Sequence, residues 1–347
     1  KAQQEKQENG KTSKAGNFHI TDEQLGTGTL KEKYRRNVEA IQLLKQLEEE
    51  NRQADRFEQE TLSNYVGWGG LSDVFDANKQ NWTEEYNELK ELLTDAEYKA
   101  ARESVLNAHF TQPVIIESIY KALEQMGFRN GNVLEPSMGI GNFFGVMPES
   151  MRGSKLYGVE LDDISGRIAR QLYPDAEIQI TGYENSGYPD DFFDVAVGNV
   201  PFGNYQIYDR RYERQHFMIH DYFLAKTLDQ LRSGGVAAFI TSKGTMDKKS
   251  DTVRLYLSQR AELLGAIRLP NTAFKANAGT EVTSDILFFQ KREGISYDSP
   301  EWLQIGVNEE GIELNQYFIN HPEMVLGHME EISGPYGKDT ACVPIEG

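Results

Sequence analysis

Asn132-Val133-Leu134-Glu135-Pro136-Ser137-Met138-Gly139-Ile140-Gly141-Asn142-Phe143-Phe144 reads as a short apolar strand that ends on a carboxylate, turns through a glycine loop and enters a helix. Working outward, the same texture recurs. Lys155–Glu160 and Glu177–Ile180 predict strands around a helix over Asp162–Tyr173, and Phe193–Gly198 predicts a fourth strand. Helices over Asp221–Leu231 and Asp251–Ala261 alternate with strands over Gly235–Thr241 and Leu263–Leu269, and Val282–Gln290 closes the set as a seventh. Short apolar strands alternating with helices predict an α/β fold, a seven-stranded, doubly wound, mostly parallel mixed sheet covered on both faces. Ligands of such sheets sit at the carboxyl ends of the strands, near the switch in strand order. Chemistry is therefore sought in the loops after the first, second and fourth strands.

Ahead of this unit, Val38, Ile41, Leu44 and Leu47 recur at helical spacing within Tyr34–Arg52, and further helical stretches cover Glu84–Leu93 and Asp95–Glu103. The cluster Gly67-Trp68-Gly69-Gly70 breaks that pattern; Trp68 and Trp82 beside turns read as core anchors. The predicted organisation is a disordered leader or linker over 1–20, a helical N-terminal region over 21–106, the sheet domain over 107–292 and an acidic segment or connector over 293–347. The start at Lys1 without an apolar leader reads as a piece of a longer protein or a processed chain, with no signal peptide. No apolar run is long enough for a transmembrane helix, and the single Cys342 excludes an internal disulfide or a multi-cysteine zinc site, as in a reducing cytoplasm. His216 and His220 share i, i+4 spacing but lack the intervening Glu of a zinc-protease helix, so no metal site is expected.

Gly139 and Gly141 allow close approach of backbone to a ligand, a feature shared by nicotinamide, flavin and S-adenosylmethionine sites. Phe144 stands where the dinucleotide fingerprint needs its third glycine, and Glu135 would repel a pyrophosphate while suiting the cationic amino-acid end of S-adenosylmethionine. Glu160, at the end of the second strand, can accept from both hydroxyls of a ribose. Glu184, after the third strand, can accept from an adenine amine. The fourth strand runs into Asn199-Val200-Pro201-Phe202, the most informative stretch. An exocyclic amine on a base is a poor nucleophile because its lone pair is delocalised into the ring. The Asn199 carbonyl and a neighbouring backbone carbonyl can accept both amine hydrogens and free that lone pair, Pro201 stiffens the loop, and Phe202 can stack on a flipped base. The loop has no cysteine, which excludes methylation at cytosine carbon 5 through a cysteine nucleophile.

Together these residues resemble the amino-group, S-adenosylmethionine-dependent methyltransferases, in particular the N6-adenine DNA methylases with an Asn-Pro-Pro-aromatic motif. Their motif order is matched by His109-Phe110-Thr111-Gln112-Pro113, then Glu135–Phe144, then Asn199–Phe202, over about Asn107–Arg292. The resemblance implies a class I, Rossmann-like methyltransferase fold. It also implies a cofactor site built from Phe110, Thr111, Glu135, Pro136, Gly139, Gly141, Glu160 and Glu184, with Phe110 and Thr111 closing over the methionine end. Tyr65–Arg292 is similar to the methylase part of very large proteins of bacterial mobile elements, in which a helicase-like region follows; this implies a bacterial, cytoplasmic protein acting on DNA with help from further domains. Two departures stand out: Val200 replaces the usual first Pro, and Gln112 splits the usual Thr-Pro pair. Methylation of RNA or of a protein glutamine, and a non-catalytic binding module, are the rival readings.

The chain carries 36 Lys and Arg against 54 Asp and Glu, a net charge of −18, which on its face opposes a polyanionic partner. The charge is uneven. Asn204–Lys275 holds twelve basic against seven acidic residues, net +5, whereas Glu293–Gly347 holds one against eleven, net −10. Arg210, Arg211, Arg214, Lys243, Lys248 and Lys249 follow the fourth and fifth strands on the edge that carries Asn199, where they can meet phosphates beside a flipped base.

Overall fold

The computed structural model describes residues 15–22, 24–105, 111–274, 281–334 and 337–345. Phe110, most of the leader (1–14) and Lys275 lie outside the described residues. The helical N-terminal region comprises α1 (Leu30–Glu49), α2 (Arg56–Ser63), α3 (Thr83–Leu92) and α4 (Asp95–Ser104). Three of these starts are written in the sequence. Thr29, Asp55 and Thr94 each cap a helix whose N3 residue is Glu, and each Glu returns a bond to the cap backbone, satisfying donors that the first turn leaves unpaired. Pro113 opens α5 (Pro113–Gln125), where a missing N–H costs nothing.

The sheet then follows the predicted alternation: β1 (Asn132–Glu135), α6 (Asn142–Val146), β2 (Lys155–Glu160), α7 (Asp163–Leu172), β3 (Glu177–Ile180), β4 (Phe193–Asn199), α8 (Ile219–Gln230), β5 (Leu231–Ser242), α9 (Gly244–Asp247), α10 (Thr252–Arg260), β6 (Ala261–Leu269) and β7 (Ser284–Lys291). Strand order is β3-β2-β1-β4-β5-β7-β6. All pairs from β3 to β5 are parallel, while β7 runs antiparallel to both neighbours, so the expected seven-stranded mixed sheet is what forms. The order reverses between β1 and β4, which opens a crevice at their carboxyl ends.

Two apolar clusters cover the faces. One joins Val133, Val195 and Ile240 to Ile116 and Ile168, and continues without a break into Tyr34, Leu44, Leu62 and Trp68 of the helical region. Trp68 and Trp82 are core residues, as expected. Polar ties reinforce this junction. The Arg167 guanidinium on α7 meets Glu48, Glu97 and Asp163, and Gln171 accepts from the Ala54 amide at 2.8 Å. The sheet domain and the helical region therefore share one core across the boundary expected at residue 106: α1 packs on α2, Trp68 and Trp82 of its own region, and α1, α2 and α4 all also meet α7. The last residues of the expected leader are engaged too: the Phe18 amide donates to Leu172 O at 2.8 Å and Ile20 to Gly145 O at 2.9 Å.

Beyond β7 the chain forms β8 (Ile305–Val307), β9 (Glu313–Asn315), α11 (Gln316–Asn320), β10 (His328–Gly334) and β11 (Gly337–Val343). Its charge suggested a connector, but residues 301–326 pack on the second sheet face. Trp302, Leu314 and Phe318 join Phe289 and Leu257 there. Two buried arginines set the join. Arg268 holds Asp285 through two bonds of 2.8 and 2.9 Å, pairs with Asp247 at 2.7 Å and lies 4.3 Å from the Phe318 ring centre. Arg254 donates to Leu303 O, Met246 O and Lys248 O. A lone buried guanidinium would be costly, and here each has several oxygen partners. Among the described residues no helix is long and apolar enough to cross a membrane.

Candidate active site

The crevice at the β1/β4 switch is a cleft of about 600 Å³. Thr111, Glu135, Pro136, Gly139, Glu160, Glu184, Asn199, Val200 and Pro201, all singled out from sequence, line it together. Parallel strands explain the convergence: β1, β2, β3 and β4 point the same way, so the loops that leave them meet at one edge.

The glycine loop has two glycines with different duties. Gly139 has φ +56°, and the place where its Cβ would stand is open, with nothing within 4 Å; this is the backbone that a ligand can approach. Gly141 does not line the cleft, contrary to expectation. It has φ +88°, its amide donates to Met138 O at 2.7 Å, and a Cβ there would lie 2.5 Å from Tyr173 Cε2. Its smallness serves packing on the Tyr173 ring and entry into α6.

Glu160 accepts from the Gly139 amide at 2.6 Å and from the Asp162 amide at 2.7 Å. The second-strand carboxylate thus braces the glycine loop as well as facing the cleft. Burial, with the Asp162 carboxylate adding to it, pushes its pKa up to about 7 against the backbone donors of Asp162, Gly139 and Leu161. Glu135 is 2% exposed, its Oε2 has no hydrogen-bond partner, and burial together with Glu160 raises its pKa well above the carboxylate range. An unpartnered carboxylate oxygen beside a second carboxylate favours a cationic ligand group, which would relieve both costs. Glu184 is half-buried and accepts from Asn185 Nδ2 at 2.9 Å. Behind it, the Lys226 ammonium donates to the carbonyls of Tyr183 (2.8 Å) and Glu184 (3.2 Å) and pairs with Asp209 at 3.4 Å, which ties the loops after β3 and β4 together.

Asn199 ends β4. Its Nδ2 donates to Thr111 Oγ1 at 3.1 Å, and its buried Oδ1 has no partner. Thr111 is itself 4% exposed, so the amide is oriented with its acceptor left over for a ligand. Val200 does more than a proline could at its place: its amide donates to Ile240 O at 3.1 Å, extending the β4–β5 ladder by one rung. The rigidity lost with the proline ring is returned by that bond. Phe202 is half-buried and packs on both apolar clusters.

Of the basic residues, Arg210 and Arg214 are exposed. Arg211 pairs with Asp190 and Asp229, Lys248 with Asp221 at 2.5 Å, and Lys243 with Asp339 at 2.7 Å and with Thr340 O. Lys249 is 85% exposed and lies 3.2 Å from Glu313. The acidic C-terminal segment therefore neutralises part of the basic edge. His220 is buried beside Asp221, a structural position, whereas His216 is exposed. From the N-terminal region Tyr65, Val66, Gly67, Ala100, Glu103 and Ser104 also line the cleft. Sequence reasoning missed these. The signal was the glycine cluster after Val66, visible but read only as a helix break.

The donor set fits S-adenosylmethionine: an open glycine cradle, an orphaned buried carboxylate oxygen for an ammonium, and a second carboxylate one strand away for hydroxyls. Among known proteins, the chain is similar to defense against restriction protein B of Escherichia phage P1, 34% identical over 192 residues, which make up 54% of this chain and 8% of that protein. The chain thus spans less than a tenth of that relative's length. In structure it is similar to a Vibrio vulnificus YJ016 protein assigned as the modification subunit of a type I restriction enzyme, with 20% identity, TM-score 0.45 and coverage of 61% of this chain and 50% of that one. It is also similar to a Listeria monocytogenes protein assigned as a class I S-adenosylmethionine-dependent methyltransferase, with 15% identity, TM-score 0.46 and coverage of 78% and 90%. The sequence signature of the N-6 DNA Methylase family spans residues 96–299, more than half of the chain and all four motif loops, so this chain belongs to the N-6 DNA methylase family.

Proposed function

We propose that this chain methylates the exocyclic N6 amine of adenine in DNA. The observation that carries the reading is the unpartnered, buried Asn199 Oδ1, held by Thr111 in the same cleft as Glu135 and Gly139. S-adenosylmethionine, when bound, supplies an electrophilic methyl group. Glu135 takes its ammonium, Glu160 its ribose hydroxyls, Glu184 its adenine amine, and Gly139 gives it room along the backbone. Asn199 Oδ1 and the Val200 carbonyl accept the two hydrogens of the target amine, which draws its nitrogen toward tetrahedral geometry and localises the lone pair. Acceptors set in advance by Thr111 and by the Val200–Ile240 bond cost little reorganisation when the charge develops. Phe202 and Pro201 hold the flipped ring. The cationic amine product loses its proton to water, so no general base is needed. Arg210, Arg214 and Lys249, exposed on the basic edge, meet flanking phosphates, and further domains of a longer protein add the remaining affinity and the sequence choice.

The test is radiolabelled methyl transfer to separate pools of DNA, RNA and protein, with the wild-type chain and Asn199→Ala. Label is expected in DNA adenine with wild type, and none with Asn199→Ala, whose calorimetric affinity for S-adenosylmethionine stays within a few fold. Label in RNA or in protein glutamine instead would replace DNA as the substrate. Full activity of Asn199→Ala would remove the loop from the mechanism.

A further inference from the structure

The cleft has a wall that the family signature does not contain. That signature begins at residue 96, yet Tyr65, Val66 and Gly67 line the same cavity as Glu160 and Glu184. The turn that carries them is built for rigidity. Gly67 has φ +72° and Gly70 φ +74°, left-handed conformations that a side chain would strain. Asn37, on α1 and fully buried, clamps the turn at both backbone poles: its Oδ1 accepts from the Val66 amide at 2.9 Å, and its Nδ2 donates to Gly67 O at 2.6 Å. Beneath it the Trp68 indole packs edge-on against Tyr65 and Phe75, with ring centres 6.4 and 5.5 Å away.

The side chains say which end of the cleft this wall closes. Tyr65 is 2% exposed, and its hydroxyl lies against Ser165 and beside the Asp162 carboxylate, at the start of α7. That is directly after β2, the strand that ends in Glu160. Val66 and Gly67 are half-buried, so part of each remains open to the cavity. The wall therefore stands at the ribose side. Here the clamp, the left-handed glycine and the aromatic footing all present two small residues to a ligand cavity.

We propose that Tyr65-Val66-Gly67, clamped by Asn37, is a cofactor-contacting wall that closes over the nucleoside end of S-adenosylmethionine, and that the N-terminal helical region is therefore part of the cofactor site. This rests on the cofactor reading above. The test uses the 347-residue chain and the unreactive product S-adenosylhomocysteine. Hydrogen exchange is followed by mass spectrometry with and without saturating ligand, beside calorimetry of wild type and Val66→Trp. Peptides covering 62–71 and 135–141 are both expected to slow by at least fivefold. Val66→Trp, whose added ring would fill the nucleoside end, is expected to lose at least tenfold in affinity while unfolding within a few degrees of wild type. Protection of 135–141 with unchanged exchange at 62–71 overturns the wall and leaves the cofactor reading standing. Wild-type affinity in a folded Val66→Trp chain overturns it equally. No binding of either cofactor form by wild type overturns both.

Discussion

Thr111→Val is the sharpest probe of the catalytic geometry, because it changes one atom's chemistry and almost no volume. Wild-type Thr111 Oγ1 accepts from Asn199 Nδ2 at 3.1 Å at the wall of the cleft, with Thr111 itself 4% exposed. Removing the hydroxyl leaves a buried amide donor without a partner, at a cost of about 1–3 kcal/mol. The amide can recover part of that cost only by turning, and turning moves Oδ1 away from the target amine. Since about 1.4 kcal/mol is tenfold in rate, kcat is expected to fall about ten- to hundredfold. Glu135, Gly139 and Glu160 are untouched, so cofactor affinity should stay within about threefold. Thr111→Ser keeps the hydroxyl and should return most of the rate. Single-turnover transfer to a DNA substrate gives the chemical step, and calorimetry with S-adenosylmethionine gives the affinity. A variant that loses affinity while its single-turnover rate at saturation is unchanged would refute the orienting role and return Thr111 to the methionine end of the cofactor.

Two further predictions concern the cradle. Glu160 has its folded pKa raised to about 7 from an ordinary 4.5, so its contribution to stability is fully present below about pH 4.5 and is lost as pH rises through 7. Urea unfolding of cofactor-free Glu160→Gln against wild type should therefore show a relative gain for the variant of at most about 3 kcal/mol between pH 4.5 and 8; parallel pH profiles would refute the raised pKa. Gly141→Ala forces a side chain into φ +88° and against Tyr173, and should destabilise the fold by about 2–5 kcal/mol in the same assay. Unchanged stability with abolished cofactor binding would instead make Gly141 a ligand contact.

Local chemistry carried much of this protein. Capping boxes at Thr29, Asp55 and Thr94, apolar runs of four to seven residues such as Asn132–Glu135 and Phe193–Asn199, and carboxylates or Asn at strand ends are all short-range signals. They suffice to predict the alternation and the seven strands. They also bring Glu135, Glu160, Glu184 and Asn199 to one edge, because parallel strands leave no other place for their loops. What sequence could not determine depends on partners far along the chain. The acidic segment after β7 looked like a connector, since net charge says nothing about the few apolar residues, Trp302, Leu314 and Phe318, that bury it, or about Arg254 and Arg268 waiting beneath. Lys243 and Lys248 looked free for phosphate until Asp339 and Asp221, 96 and 27 residues away, came within ion-pair distance. Gly139 and Gly141 look alike in the chain; only the Tyr173 ring, packed from α7, separates the ligand cradle from the packing glycine. Asn37 reads as a polar residue on an amphipathic helix, and its hold on the Val66–Gly67 turn appears only when that turn, some thirty residues on, folds back against α1. Pattern and turn chemistry act over a few residues and so are legible in sequence. Which side chain completes a site is decided by packing between distant segments.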